Sequence, residues 1–356
     1  MNDRVIPSLN GFRAIAILIV VVAHLNRMDN IPDSLRSFIT FYFHDGKMGV
    51  RIFFVLSGFL ITTLLIKEQF LKQKISLRNF YVRRSLRIIP ALFIFLLFTY
   101  FFSIYYKIPI TGTAFLSAFL YLTNFQFFAV PSILTHTWSL AVEEQYYLIW
   151  PVLFKKFNRI LIPLTLTIIC FTPFISVLAY IYPAYKNYLL APFWGNANAI
   201  FIGSIFAILG AKNILTYNLI QANIKWIIPV CIIVFWIIEH FMYNGMYGKL
   251  LLPVGPTLGS AAMALLIFIG AHNVGNGFKF LNNAIIDYIA KISYSIYLWQ
   301  QIFTQGHYNL PTNLFPYNLI FIMLFSMLSY YLVERFFLKV KSRYSIKQKT
   351  VSVVEG

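Results

Sequence analysis

Apolar residues in this chain do not alternate, nor do they recur every third or fourth position as on a surface helix. They run on for the length of a membrane span, and they do so repeatedly. An α-helix needs roughly 20 mainly apolar residues to cross a hydrocarbon layer of about 30 Å, and ten segments fit that description: 10–26, 48–67, 88–106, 137–154, 160–181, 196–211, 225–243, 250–271, 285–304 and 317–338. The pattern predicts an all-α polytopic membrane protein of about ten transmembrane helices. An eleventh apolar stretch, 113–128, is short and contains Asn124 and Gln126. The loops 27–47 and 67–87 are too short for a separate folding unit. One transmembrane domain, 1–340, is expected, followed by a basic tail, 341–356.

Charge decides the orientation, because lysine and arginine collect in cytoplasmic loops. With the N-terminus inside and 113–128 not crossing, 21 Lys and Arg residues fall on the inner face and seven on the outer, Arg13 being within the membrane. Were 113–128 to cross, Lys155, Lys156 and Arg159 would move outside. Both termini are therefore expected in the cytoplasm, with 113–128 as an outer-face or re-entrant segment. The first apolar stretch ends in VVAHLNR, without a small-x-small cleavage pattern, and is read as a span rather than a signal peptide.

Composition agrees: 59% of residues are hydrophobic and 11% charged, against about a quarter charged in soluble domains. The net charge of +18 does not indicate a nucleic-acid binder, because the basic residues flank spans instead of forming a water-facing patch interleaved with aromatics. Cys170 and Cys231 both fall in apolar runs, where neither a disulfide framework nor a metal site is expected.

Some polar residues lie where lipid-facing helices should have none. In RAIAILIVVVAH, residues 13–24, Arg13 and His24 are eleven positions apart, so they share a helix face about 16 Å apart along the axis. Snorkelling of Arg13 and interfacial packing of His24 would account for either residue alone. In HTWSLAVEEQYYLIWP, residues 136–151, Ser139, Glu143 and Tyr147 share a face, while Glu144 turns to another. An ion pair with Arg51 or another basic residue is one explanation for these carboxylates. The other is that Glu143 holds one nitrogen of His24 and orients it as a base. In FYVRRSLRIIPA, residues 80–91, Arg83, Arg84 and Arg87 can converge on a phosphorylated ligand, although a purely topogenic cluster would look the same. Ser57-Gly58 and the stripe Ser293, Tyr297, Gln300 read first as helix contacts.

Taken in order, LNGFRAIAILIVVVAH, GVRIFFVLSGFLIT, YVRRSLRIIPA, HTWSLAVEEQYYLIWP, ISYSIYLWQ and YYLVERF resemble the acyltransferase-3 family of membrane acyltransferases. That family includes enzymes that O-acetylate lipopolysaccharide O-antigen and other bacterial surface glycans. The resemblance is to members without an extra periplasmic domain. It implies a protein of the bacterial inner membrane that takes an acyl group, most often acetyl, from cytoplasmic acyl-CoA. The acceptor is then a hydroxyl of a surface glycan, with no metal and no nucleic acid involved. It makes His24 the catalytic base, with Arg13 the other half of an arginine-x10-histidine motif and Glu143 at the tryptophan-plus-five position. Arg83, Arg84 and Arg87 become the CoA-binding residues. Glu144, Trp138 and Tyr297 complete the expected substrate-binding set. The chain departs from the family pattern at Gln300, usually histidine and here unable to shuttle a proton, and at Phe336, usually proline.

These residues together predict a buried passage, cationic where acyl-CoA enters and tipped by His24 where the acyl group leaves. The rival class is a proton-coupled transporter or flippase with Glu143, Glu144 and His24 as a relay. Such proteins often have two related halves, and no internal repeat is visible in this sequence.

Overall fold

The computed structural model describes residues 8–25, 30–43, 46–125, 130–185, 193–245, 251–272, 276–305 and 310–344. Among them there is no strand. The helices are α1 (Leu9–Leu25), α2 (Asp33–Tyr42), α3 (Lys47–Lys72), α4 (Leu77–Tyr105), α5 (Gly112–Phe119), α6 (Ser132–Thr135), α7 (Thr137–Lys156), α8 (Leu161–Ile181) and α9 (Phe193–Ala211). They continue with α10 (Tyr217–Gln221), α11 (Ile224–Tyr243), α12 (Leu251–His272), α13 (Ala284–Phe303), α14 (Tyr317–Ser329) and α15 (Arg335–Ser342), the last two joined through a π-helical turn, Tyr330–Glu334. A helix lies at each of the ten predicted segments. Six, those ending at Lys72, Tyr105, Ile181, Tyr243, His272 and Ser342, are long and apolar enough to cross a membrane, and two shorter apolar helices end at Leu25 and Ala211. The protein is a multi-pass membrane protein.

The 113–128 segment resolves into α5 and a turn. Eight helical residues rise only about 12 Å, too little to cross. The turn is fastened to α7 by a reciprocal amide pair, Asn124 Nδ2 to Gln145 Oε1 and Gln145 Nε2 to Asn124 Oδ1, both at 3.0 Å. Gln126 and most of the predicted basic tail, 345–356, lie outside the described residues.

Without a hydrophobic force to drive helices together in lipid, association rests on small residues and polar pins. The tightest crossing joins α3 to α9. A Cβ added at Gly58 would overlap the Ile200 carbonyl, and one at Gly203 would overlap that of Val55. Ser57-Gly58 was expected to serve helix contact, and Gly58 does so. Gly49 does the same for α3 against Ala16 and Val20 of α1. Polar pins complete the bracing: Trp150 Nε1 donates to Thr62 Oγ1 at 2.9 Å, the Tyr146 hydroxyl lies 2.9 Å from Ser204 Oγ, and Asn198 Nδ2 reaches Thr172 and Thr257 at 2.8 and 2.9 Å. Arg51 pairs with Glu239 of α11 at 2.5 Å. The expected alternative partners of Arg51, Glu143 and Glu144, are not used.

α1 packs between α3 and α13. Its start is fixed by Asn282, whose Oδ1 accepts from Ser8 N at 2.8 Å and whose Nδ2 donates to Ser8 Oγ at 3.1 Å. This anchoring sets the height and phase of Arg13 and His24.

Substituting Gly58 or Gly203 with alanine should destabilise the bundle by about 1–3 kcal/mol, the usual cost of overpacking, and leucine should prevent accumulation of folded protein. Gly112→Ala, where an added Cβ meets nothing within 4 Å, should leave the melting temperature of the detergent-solubilised protein unchanged.

Candidate active site

Two cavities lie along the axis of α1. The first offers about 90 Å³ to the centres of water-sized molecules, enough to hold water. Each wall is one face of one helix. α1 gives Arg13; α3 gives Val50, Phe53, Phe54 and Ser57; α4 gives Arg84, Arg87 and Ile88; α7 gives Ser139, Leu140, Glu143 and Tyr147; α13 gives Ser293, Tyr294 and Tyr297. The spacing of three or four residues in every set is the helical period itself.

Three arginines thus converge from two helices, and one carboxylate faces them. Glu143 Oε1 accepts from Ser57 Oγ at 2.9 Å, and its Oε2 lies 3.2 Å from the Tyr147 hydroxyl, which also donates to Ser57 Oγ at 2.8 Å. The Arg84 guanidinium sits 4.5 Å from the centroid of the Tyr147 ring, a cation–π contact that places its charge without neutralising it. Lys341 of α15 lies within electrostatic range of Arg13, Arg84 and Arg87. Glu144 and Glu334 lie within electrostatic range of the same arginines, but Glu143 is the one carboxylate among the lining residues; three lining arginines suit a ligand carrying several negative charges, such as phosphates.

Arg83, expected with Arg84 and Arg87, is elsewhere. Its Nη2 pairs with Glu68 Oε2 at 2.9 Å and its Nη1 donates to the Tyr344 carbonyl at 3.0 Å. Successive helical residues are about 100° apart, so a face that carries Arg84 and Arg87 inward turns Arg83 toward α3 and the C-terminal helix. Glu68, 1% exposed, also accepts from Ser76 N at 3.1 Å, and the pair fastens the turn between α3 and α4.

The second cavity, about 200 Å³ by the same measure, is lined by His24 and Val20 of α1, Gly46, Lys47 and Val50 at the start of α3, Thr135, His136 and Trp138 around the α6–α7 break, and Tyr297 and Gln301 of α13. The predicted base and the predicted contacts Trp138 and Tyr297 come together here. A Cβ at Gly46 would stand 3.1 Å from His24 Cε1, so the imidazole packs against bare backbone.

Glu143 does not join them. It lines the first cavity with its oxygens on Ser57 and Tyr147, while His24 lines the second. The predicted Glu143–His24 orienting pair is therefore replaced by two separate clusters: the first turn of α7 lines the His24 cavity through Trp138, and Glu143, five residues or about 7.5 Å further along the helix, lines the arginine cavity. Glu144, one position on, faces away and lines neither cavity. Gln300 is fully buried and donates to Gln301 Oε1 at 3.3 Å, and it is Gln301 that reaches the cavity. The sequence reading passed over His136, Gln301 and Tyr294. Only His136 carried a signal, as the first residue of the HTWSL run. Among the described residues no three His, Cys, Asp or Glu side chains form a metal cage.

The two cavities share Val50 and Tyr297. The class so defined is a multi-pass helical membrane protein with adjoining arginine-lined and histidine-lined chambers within the bundle. The particular family follows from comparison: the chain belongs to the acyltransferase-3 family, whose model, described as an acyltransferase domain, matches residues 6–335. Among curated proteins it is 28% identical to the O-acetyltransferase OatA of Staphylococcus aureus over 368 residues, covering 94% of this chain and 57% of that protein. The putative peptidoglycan O-acetyltransferase YrhL of Bacillus subtilis is 28% identical, with 84% and 48% covered. The peptidoglycan O-acetyltransferase OatA of Listeria monocytogenes is 34% identical over 172 residues, 44% of this chain and 25% of that protein. The chain thus spans about half or less of the length of these relatives. No solved structure matches it.

Removing one member of a buried ion pair costs about 3–5 kcal/mol. Arg83→Ala should accordingly lower the melting temperature by an amount that Arg84→Ala does not, because Arg84 has no carboxylate partner in a comparable pair. Thermal unfolding of the purified variants checks this.

Proposed function

We propose that this protein is a membrane O-acyltransferase of the bacterial cytoplasmic membrane, moving an acetyl group from cytoplasmic acyl-CoA to a hydroxyl of a cell-envelope glycan. The observation that carries the reading is the pair of adjoining cavities, cationic at one end and imidazole-lined at the other. In this reading all ten helices cross, both termini are cytoplasmic, and the N-terminal end of α1 faces inward. The acceptor considered from sequence was lipopolysaccharide O-antigen. The two relatives named for peptidoglycan favour peptidoglycan, and both are kept as the glycan class to be tested.

The residues fit such a donor. Acyl-CoA, when bound, supplies a thioester on a multiply phosphorylated handle. Arg84, Arg87 and Arg13 hold phosphate oxygens, with guanidinium forks matched to that geometry, and Lys341 adds positive charge at the mouth. Arg83 acts by keeping α4 in place. Ser57 and Tyr147 hold the Glu143 carboxyl by hydrogen bonds in the wall that faces the arginines. Beyond Tyr297, His24 takes the proton from the acceptor hydroxyl as that oxygen forms its bond to the acyl carbonyl carbon, and returns it to the departing thiolate sulfur. Trp138, His136 and Gln301 orient the acceptor.

General-base action contributes typically 10²- to 10⁴-fold. In vesicles of purified protein supplied with labelled acetyl-CoA on one side and a glycan acceptor on the other, His24→Ala should lose transfer by at least about 10²-fold while still inserting. Full activity would remove the base assignment. Arg84→Ala and Arg87→Ala should mainly raise the acetyl-CoA concentration needed for half-maximal rate. A change confined to the acceptor requirement would overturn the donor site. Labelled solute crossing without acyl transfer would identify a transporter instead, and mass spectrometry of peptidoglycan and O-antigen from cells with and without the protein names the acceptor.

A further inference from the structure

Tyr297 occupies a position that neither donor binding nor proton transfer explains. It borders both cavities, and its side chain is only 8% exposed. Its hydroxyl donates to the His136 carbonyl at 2.8 Å and lies 2.6 Å from Ser139 Oγ. Ser139 lines the arginine cavity and His136 the histidine cavity, so the two bonds straddle the junction. The ring meets Phe53 edge-on at 6.4 Å and the His136 ring at 5.5 Å between centroids.

The acceptor of the first bond is unusual. The His136 carbonyl sits at the break between α6 and α7, where helix ends leave backbone groups with incomplete pairing; its other contacts are longer ones from Ser139 N and Ser139 Oγ, at 3.3 and 3.4 Å. Val50, the other shared residue, offers only an apolar side chain. The one aromatic ring that borders both cavities is therefore held by two neutral hydrogen bonds, each of modest net strength in a protein. A ring fixed only by packing would have no such polar tether to release.

We propose that Tyr297 is a gate: with its hydroxyl latched to Ser139 and the His136 carbonyl, the ring closes the passage between the cavities, and release of the latch joins them. This inference rests on the acyltransferase reading for its purpose, since an acyl-bearing arm has to pass this point while water and small solutes must not. Its physical content, a closed junction, is independent of that reading.

The test reads accessibility and not transfer. In the full chain with Cys170→Ser and Cys231→Ser, single reporters are introduced as Leu140→Cys in the arginine cavity and Thr135→Cys in the histidine cavity. A small charged, membrane-impermeant methanethiosulfonate is applied to one face of sealed vesicles. With Tyr297 present, each reporter should react from one face only, and the two from opposite faces. Tyr297→Ala should raise the rate from the far face at least tenfold for both, with near-face rates unchanged. Tyr297→Phe, which keeps the ring and loses the latch, should give a smaller rise in the same direction. Far-face rates unchanged in both variants would overturn the gate, as would reaction from both faces with Tyr297 present. Should Tyr297→Ala not accumulate, Tyr297→Phe decides alone, an unchanged rate overturning the proposal. Loss of the acyltransferase reading would be seen as absent transfer by the unmodified protein, with these rates unaffected.

Discussion

An arginine inside an apolar bundle must be given either a counter-charge or a polar space, because hydrocarbon offers it neither. Arg13, Arg84 and Arg87 receive a space. Their convergence forces a cavity into the middle of the bundle, and the helices around it turn toward it whatever small and polar side chains they have. The one carboxylate among the lining residues, Glu143, is held by Ser57 and Tyr147. The chamber therefore keeps a surplus of positive charge, which a phosphorylated ligand would satisfy.

The bundle divides its work accordingly. α1, α3, α4, α7 and α13 supply the cavity walls, while α8, α9, α11 and α12 brace them from behind. Bracing is done at close range, through Gly58 and Gly203, and by polar pins such as Asn198 with Thr172 and Thr257. α3 belongs to both groups, carrying Ser57 on its cavity face and Gly58, one residue on, against α9. That adjacency couples the packing of the scaffold to the shape of the chamber.

Much of this was legible from residue spacing. The ten helical segments follow from apolar length, and the shared face of Arg13 and His24 follows from the helical period alone. Arg84 and Arg87 were also legible as a converging pair. Arg83 was not, since the choice between the 83–87 and 84–87 faces is made by the rotation of α4 against its neighbours, and local sequence does not contain that rotation. Glu143 was misplaced for a related reason. Its distance from His24 depends on where α7 begins, and the break at His136, after a helix of only four residues, carries no strong punctuation beyond Pro131. The same dependence on rotation brings Gln301, and not Gln300, to the cavity.

The turn at 73–76, far from either cavity, carries a hidden responsibility. Gln73 there adopts a left-handed backbone conformation, Ser76 caps α4, and Glu68 clasps both Ser76 and Arg83. The clasp ties the first residues of α4 to the end of α3, while packing against neighbouring helices decides which side chains α4 turns inward. A short surface turn thus secures the footing of the helix that carries two of the three chamber arginines.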